Sequence, residues 1–517
     1  MQRHILGAIL SICTAGLAMR WLFIGDRPLS GDEAYSVAWA GRSLQSVLTV
    51  ELWRDNSPPL YYVLLNLWMG LGNSETMLRL LSLALSVATI PIVIAHGRTL
   101  VDTHTGIIAG ALLALSPIAV RYAQEVRMYA VYGLGAALAL WALTEAIQPR
   151  TTSRLGWWVA AASGTGIVIF SHSIGMTFWG AILCWGAAMT FWRRFPVRLP
   201  AIPHFPARAF WWTQAIILLF YLPYGLFVAS QQVTRVTEGF WARPPTVISV
   251  LAIFGRLGMA WQPDYVPWLL VIGFFLMAFG AAGLWHLRRR PQEVALLAAV
   301  VILPVAALLL YSLRRPLLID RVLLFDTPIL LLLVATGIRT AAASWRELQI
   351  TWGWLPPIPV PLVTGIGVIV IVAGSLAGRI GYQERLVDND WAGAGRHLAA
   401  HATEDDLLVI FPPFAVAALH YYLDAAGEFK QTARYQLVRP TLAPPAVADD
   451  TYAGLYAPQR TPHALAAGPA QTIWLLRYPE ADVQQMLDMH SFIAAELTYV
   501  ESLPFGETLV LDRFERP

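Results

Sequence analysis

The chain has 517 residues, 57% of them hydrophobic and 13% charged, with a mean hydropathy of +0.55. Soluble domains carry about 25% charged residues, so this composition excludes a soluble enzyme and indicates a polytopic membrane protein. The net charge of +3 hides a division: residues 1–378 hold 26 Arg against 15 acids (+11), and residues 379–517 hold 10 basic residues against 18 acids (−8). The second part is expected to be a water-soluble domain.

Residues 4–24 form the first apolar segment. No small-x-small cleavage site leads from it into a soluble region, so it is expected to stay as an uncleaved first helix. Three apolar stretches follow at 58–72, 75–96 and 106–121. The first, opened by Pro58-Pro59, is shorter than the ~20 residues a span needs and is expected to be a re-entrant or surface helix. Further helices are expected at 130–147, 156–171, 174–192, 210–229, 266–286, 294–312, 322–340 and 358–378. Arg clusters (Arg150 and Arg154; Arg193, Arg194, Arg198 and Arg208; Arg288 to Arg290; Arg339 and Arg346) recur after every second helix. By the positive-inside rule these clusters are cytoplasmic, which gives about eleven crossings, an inner amino terminus and an outer carboxyl domain. The outer loops of the 1–378 core are then 25–74, 121–129, 230–264 and 312–321.

From about residue 380 the pattern changes to short amphipathic units. Trp391–His401 and Val416–Leu423 are predicted helices, Asp406–Phe411 and Thr472–Leu476 predicted strands, and 440–470 a Pro- and Ala-rich loop. Alternating strand and helix predict a small α/β domain over 379–517.

Chemistry has few candidates. Cys13 and Cys184 both fall in apolar helices, leaving neither a disulfide framework nor a Cys metal site. Every basic residue but Lys430 is Arg, so phosphate at the membrane must meet guanidinium, His, backbone or a metal. Asp32-Glu33 follows the first helix, at the water boundary where a carboxylate stays ionised beside lipid head groups. The alternative for the pair is an N-cap and first-turn acid of a helix starting near Ala34. The same outer loop holds Asp55-Asn56-Ser57-Pro58-Pro59-Leu60-Tyr61-Tyr62, where two prolines fix the backbone ahead of a Tyr pair.

An acidic pair after the first helix, Pro58-Pro59-Leu60-Tyr61-Tyr62, Arg79-Leu80-Leu81-Ser82, and Leu115-Ser116-Pro117 leading to Tyr122-Ala123-Gln124-Glu125-Val126-Arg127-Met128-Tyr129 together resemble the integral-membrane GT-C glycosyltransferases. The pattern is most similar to the bacterial RgtA-like group, related to protein O-mannosyltransferases and aminoarabinose lipid A transferases. Ser171-His172-Ser173-Ile174-Gly175 and Asp320-Arg321-Val322-Leu323-Leu324 resemble two further segments of that group. Asn56 and Ser57 stand where the aminoarabinose transferases carry an acid and a Lys.

The resemblance implies a GT-C-like helical core that transfers a sugar from a polyprenyl-phosphate donor to an acceptor hydroxyl on a glycan, lipid or protein. Transfer would occur with inversion, on the outer face of the cytoplasmic membrane. It makes Asp32 the general base, with Glu33 and Glu125 as supporting acids. Arg127, His172, Arg321 and Arg315 become candidates for binding the donor phosphate, and Pro58, Pro59 and Tyr61 for positioning the loop. For Arg315 and its neighbour Arg314, snorkelling beside head groups is the competing reading. Glu125 with His172 suits a divalent metal ion, although two ligands are too few to define a site. Trp241, Trp261 and Tyr265 are interfacial anchors or a stacking surface for a sugar. Nothing points to nucleic acid, and no Gly-rich nucleotide motif is present. The rivals are a flippase for lipid-linked sugars, which would bury charges mid-helix, and a catalytically silent assembly subunit on the same fold.

Overall fold

The computed structural model describes residues 2–48, 58–148, 154–192, 205–234, 244–258, 266–314, 316–351, 389–403, 406–411, 416–425, 439–440, 459–460, 470–477, 490–491, 493–506 and 509–517. The expected helix at 358–378, the 440–470 loop apart from a few residues, Asp55 to Ser57, Trp241, Trp261, Tyr265 and Arg315 lie outside the described residues. In chain order the helices are α1 (Gln2–Trp21), α2 (Gly31–Ala40), α3 (Leu44–Leu48), α4 (Leu60–Met69), α5 (Glu75–Leu100), α6 (Thr103–Leu115), α7 (Pro117–Ala123) and α8 (Tyr129–Ile147). They continue with α9 (Arg154–Ser171), α10 (Gly175–Phe191), α11 (Ala207–Thr234), α12 (Val247–Gly258), α13 (Val266–His286), α14 (Pro291–Ser312) and α15 (Thr327–Thr351). Two more, Trp391–His401 and Val416–Ala425, belong to the carboxyl-terminal part. The chain forms two compact units, one of Met1–Ile24, Leu48–Leu64 and Met77–Gln383, the other of Gly25–Val47, Leu65–Thr76 and Glu384–Pro517.

The first unit is the membrane part. Among the described residues seven helices are long and apolar enough to cross a membrane, or eight if α6 and α7 make one span. The stretch expected at 106–121 is broken within that pair, where the chain bends by 56°. Pro117 has no N–H to continue α6 and instead starts α7, whose N-cap is Ser116. The break frees carbonyls that water cannot reach in a bilayer. Arg20, fully buried at 0% exposure, meets them: its Nη1 donates to the Ala114 carbonyl (2.8 Å) and its Nη2 to that of Leu113 (3.1 Å). Its Nε donates to Ser86 Oγ at 2.9 Å, so one guanidinium joins α1, α5 and the broken helix. The expected surface segment at 58–72 is α4, whose 10 residues rise about 15 Å and fall short of a bilayer core. The expected outer loop 230–264 contains the amphipathic helix α12.

The helix of α15, with the 3-10 turn Asp320–Asp326 before it, is the most enclosed of the spans, 94% buried over its apolar window. Small residues let α13 approach it. A Cβ on Gly337 would stand 1.9 Å from the Phe279 carbonyl oxygen, and one on Gly283 2.2 Å from that of Leu333.

The second unit holds a four-stranded sheet in the order β1-β4-β6-β5, built from β1 (Leu407–Phe411), β4 (Thr472–Arg477), β5 (Thr498–Phe505) and β6 (Leu509–Glu515). The remaining strands, β2 (Arg439–Pro440) and β3 (Gln459–Arg460), form a short parallel pair. β1 runs parallel to β4 with Leu407 opposite Ile473, while β6 is antiparallel to both β4 and β5. Leu407, Val409, Ile473, Leu475, Ile493, Leu497 and Phe514 form its apolar core. The same unit includes α2, and Asn66 closes the carboxyl end of that helix by donating to the carbonyls of Ala40 (2.7 Å) and Arg42 (2.8 Å).

Candidate active site

The acid pair separates into two roles. Ser30 is the N-cap of α2, in place of the Asp32 cap weighed from sequence. Its hydroxyl accepts the Glu33 N–H at 3.3 Å, and Glu33 Oε2 accepts the Ser30 N–H at 2.9 Å, a reciprocal capping box. Glu33 is fully buried and its Oε2 also lies 3.3 Å from Arg27 Nη1. A carboxylate so committed is a structural anchor. Asp32, one residue earlier in the same first turn, is exposed. The S-x-x-E spacing of Ser30 and Glu33 is the sequence signal for this division.

In the first unit, the loop after α7 is a tight turn in which the Arg127 N–H donates to the Glu125 carbonyl at 2.8 Å. Glu125 Oε1 accepts from Arg121 Nε at 3.3 Å, and the Arg121 guanidinium lies 5.0 Å from the Tyr122 ring centroid. The prolines act here. Pro58 is buried and Pro59 leads into α4, whose buried Tyr61 hydroxyl lies 3.3 Å from Ser82 Oγ; Ser82 in turn donates to the Arg127 carbonyl at 3.4 Å. Arg79, also fully buried, donates to the Ile24 carbonyl at 2.9 Å and so holds the end of the first segment.

His172 sits at the joint between α9 and α10. Its ring stacks on Tyr132 (centroids 5.3 Å apart, planes at 26°) and lies 6.1 Å from Tyr129, which packs edge-on against Tyr122 at 4.7 Å. Desolvation, with the nearby Arg127 and Arg321 charges, lowers its pKa from 6.5 to about 3, so the ring is neutral. Nδ1 accepts the Ile174 N–H at 3.1 Å, which leaves the ring proton on Nε2. His172 is therefore set as a neutral donor within electrostatic reach of two guanidiniums from chain segments far apart in sequence. Arg321 opens the 3-10 turn before α15, where its N–H donates to Asp320 Oδ1 at 2.9 Å. Asp320 and Glu125 lie within electrostatic reach of Tyr122, next to this cluster. Arg127, His172, Arg321 and Glu125 thus share one neighbourhood, and Tyr132, three residues after Tyr129 on α8, is the member sequence reasoning overlooked. Arg314 is exposed beyond the end of α14, consistent with snorkelling.

A metal fits these residues poorly. Metal ligation through Nε2 would require the proton on Nδ1, which faces a backbone N–H, and Glu125 is engaged by Arg121. Among the described residues no group of three His, Cys, Asp or Glu side chains could hold an ion.

Residues 56–209 match a family model described as dolichyl-phosphate-mannose-protein mannosyltransferase, a stretch that includes Pro58, Pro59, Tyr61, Glu125, Arg127 and His172. The structure is similar to that of apo ArnT from Cupriavidus metallidurans, with a TM-score of 0.64 and 15% identity over 98% of each chain. The fold is that of the GT-C glycosyltransferases. A second ArnT structure, bound to undecaprenyl phosphate, matches at 0.60 and 14% identity over 98% of each chain. The oligosaccharyltransferase AglB from Archaeoglobus fulgidus, in complex with an inhibitory peptide and a dolichol-phosphate, matches at 0.52 and 12% identity over 96% of this chain and 71% of its own. No curated protein matches by sequence.

Proposed function

We propose that the chain transfers a sugar from a polyprenyl-phosphate donor to an acceptor hydroxyl at the outer face of the cytoplasmic membrane, with inversion. The observation that carries this reading is the His172 ring, its proton fixed on Nε2 by the Ile174 N–H and within electrostatic reach of the Arg127 and Arg321 charges. When the C1–O bond of the donor breaks, the phosphate takes the bonding pair and gains a negative charge. Two guanidiniums, which stay charged at any working pH, and one imidazole N–H are suited to that change. Tyr132 stacks on the imidazole and Ile174 fixes its tautomer, so the donor is held ready before the bond breaks. Asp32 takes the acceptor proton as the hydroxyl oxygen bonds to C1. Glu33 holds the helix that presents it, and Pro58, Pro59 and Tyr61 fix the main chain of Arg127 through Ser82. Glu125 orients Arg121. Residues 1–378 form the transferase core in this reading, and 379–517 an outward-facing domain.

The test is transfer by the purified full chain in lipid, with undecaprenyl phosphate charged with mannose, arabinose or aminoarabinose as donors and envelope extract as acceptor. Transfer that disappears in Asp32→Asn while donor binding persists supports the reading. Carrier movement across the bilayer without transfer would replace it with a flippase.

A further inference from the structure

The carboxyl-terminal part supplies a side chain to the loop that carries Asp32. Tyr422, on the helix Val416–Ala425, donates from Oη to Glu75 Oε1 and accepts the Leu29 N–H on the same oxygen. Leu29 is wholly buried and directly precedes the Ser30 cap, so its N–H lies outside the hydrogen bonding of α2. The neighbouring Tyr421 donates to the Asn73 carbonyl at 2.7 Å. Two consecutive tyrosines therefore grip both first-loop segments of this unit, 25–47 and 65–76, and the helix that bears them packs on α2.

We propose that Tyr422 is a positioning residue for Asp32: through the Leu29 N–H it sets where α2 begins, and hence where its first-turn carboxylate stands. The relay runs Leu29 N–H to Tyr422 Oη, and Tyr422 O–H to the Glu75 carboxylate, which lies in the 65–76 segment of the same unit. Burial and the Glu75 bond push the phenol well above its ordinary range, so it remains a donor throughout. The Ser30–Glu33 box and the Arg27 pair fix the turn from the helix side, and Tyr422 fixes it from the chain entering it. In this proposal the carboxyl-terminal part helps to set the position of the base within its own unit. It rests on the reading of Asp32 as the base.

Tyr422→Phe keeps the ring and removes both hydrogen bonds. In the full chain in lipid, amide hydrogen exchange over residues 29–37 is expected to quicken at least tenfold. With undecaprenyl-phosphate mannose, arabinose or aminoarabinose, whichever is turned over, kcat is expected to fall about tenfold to a hundredfold with donor KM unchanged, since ~1 Å of misplacement costs that much. A purely structural contact would lower the folded fraction and leave kcat per folded molecule intact. Tyr421→Phe, which loses one bond to a loop carbonyl, is the control and keeps its kcat. Unchanged exchange at 29–37 overturns the proposal, as does unchanged kcat. Full turnover by Asp32→Asn would sink the base reading alone, and the exchange result would still decide whether Tyr422 holds the loop.

Discussion

Glu33 and Asp32 are adjacent acids with opposite fates, and the difference is burial. Asp32→Asn removes the proton acceptor and leaves the cap, so kcat is expected to fall ~10² to 10⁴-fold with the thermal midpoint unchanged. Glu33→Gln strips the charge from a buried pair and weakens the box, a loss of about 3 kcal/mol or more in stability, since the Glu33–Arg27 pair lies in a site with little water. A thermal melt and a rate measurement on both variants separate the roles. If Glu33→Gln melts like the parent and is dead, the assignment is inverted. On the phosphate side, Arg321→Lys keeps charge but loses the planar fork. Donor KM is expected to rise about tenfold, the size of one lost charged hydrogen bond of ~1.5 kcal/mol. An unchanged donor KM in Arg321→Lys would remove Arg321 from the phosphate site.

At the scale of elements, the pattern of apolar runs was readable where helices are long. α5, α8, α9, α13 and α14 lie within a few residues of their expected ranges. The break at Ser116-Pro117 was not readable as a break, because a Ser-Pro pair inside an apolar stretch marks a kink and a helix start equally well. What decides it is Arg20, nearly a hundred residues away in sequence, filling the gap. β5 and β6 went unread because their burial depends on a sheet in which β6 lies between β5 and β4, and β4 is a long-range partner no local window contains. The site shows the same limit. Motif order pointed to Arg127, His172 and Arg321, but the Nδ1 bond that fixes the imidazole tautomer, and Tyr422's hold on Leu29, exist only in three dimensions. Arg20→Met tests the element-level account. It keeps the stem and abandons the Ala114 carbonyl, a cost of about 1–3 kcal/mol when left unpaired, while the Leu113 carbonyl keeps the Ser116 N–H. The detergent-solubilised variant is expected to melt lower and to be cleaved faster by protease near residues 113–124. Parent-like melting and cleavage would mean that water or backbone adjustment satisfies the carbonyl instead.

For the whole molecule, the titration of His172 couples the site to stability. Its folded pKa of about 3 lies below the unfolded value of 6.5. Over that window the unfolded chain binds a proton the folded chain refuses, so acid favours unfolding. The contribution is fully present above pH 6.5 and is lost progressively as pH falls toward about 3. His397 is also lowered, by burial and by His401 first, and adds a slope of the same sign in the other unit. The comparison that isolates the site is therefore between the parent and His172→Gln, each melted from pH 7 to pH 5, above the range where most carboxylates titrate. The parent's midpoint is expected to fall more steeply than the variant's, because Gln can accept the Ile174 N–H without charging. Parallel slopes would show that the imidazole titrates alike in both states, which would place it in water and away from Arg127 and Arg321. A neutral ring within electrostatic reach of two guanidiniums has a further consequence for the reaction. It adds a donor without adding to the repulsion between the cations, so three groups can converge on one phosphate where three charges would push apart.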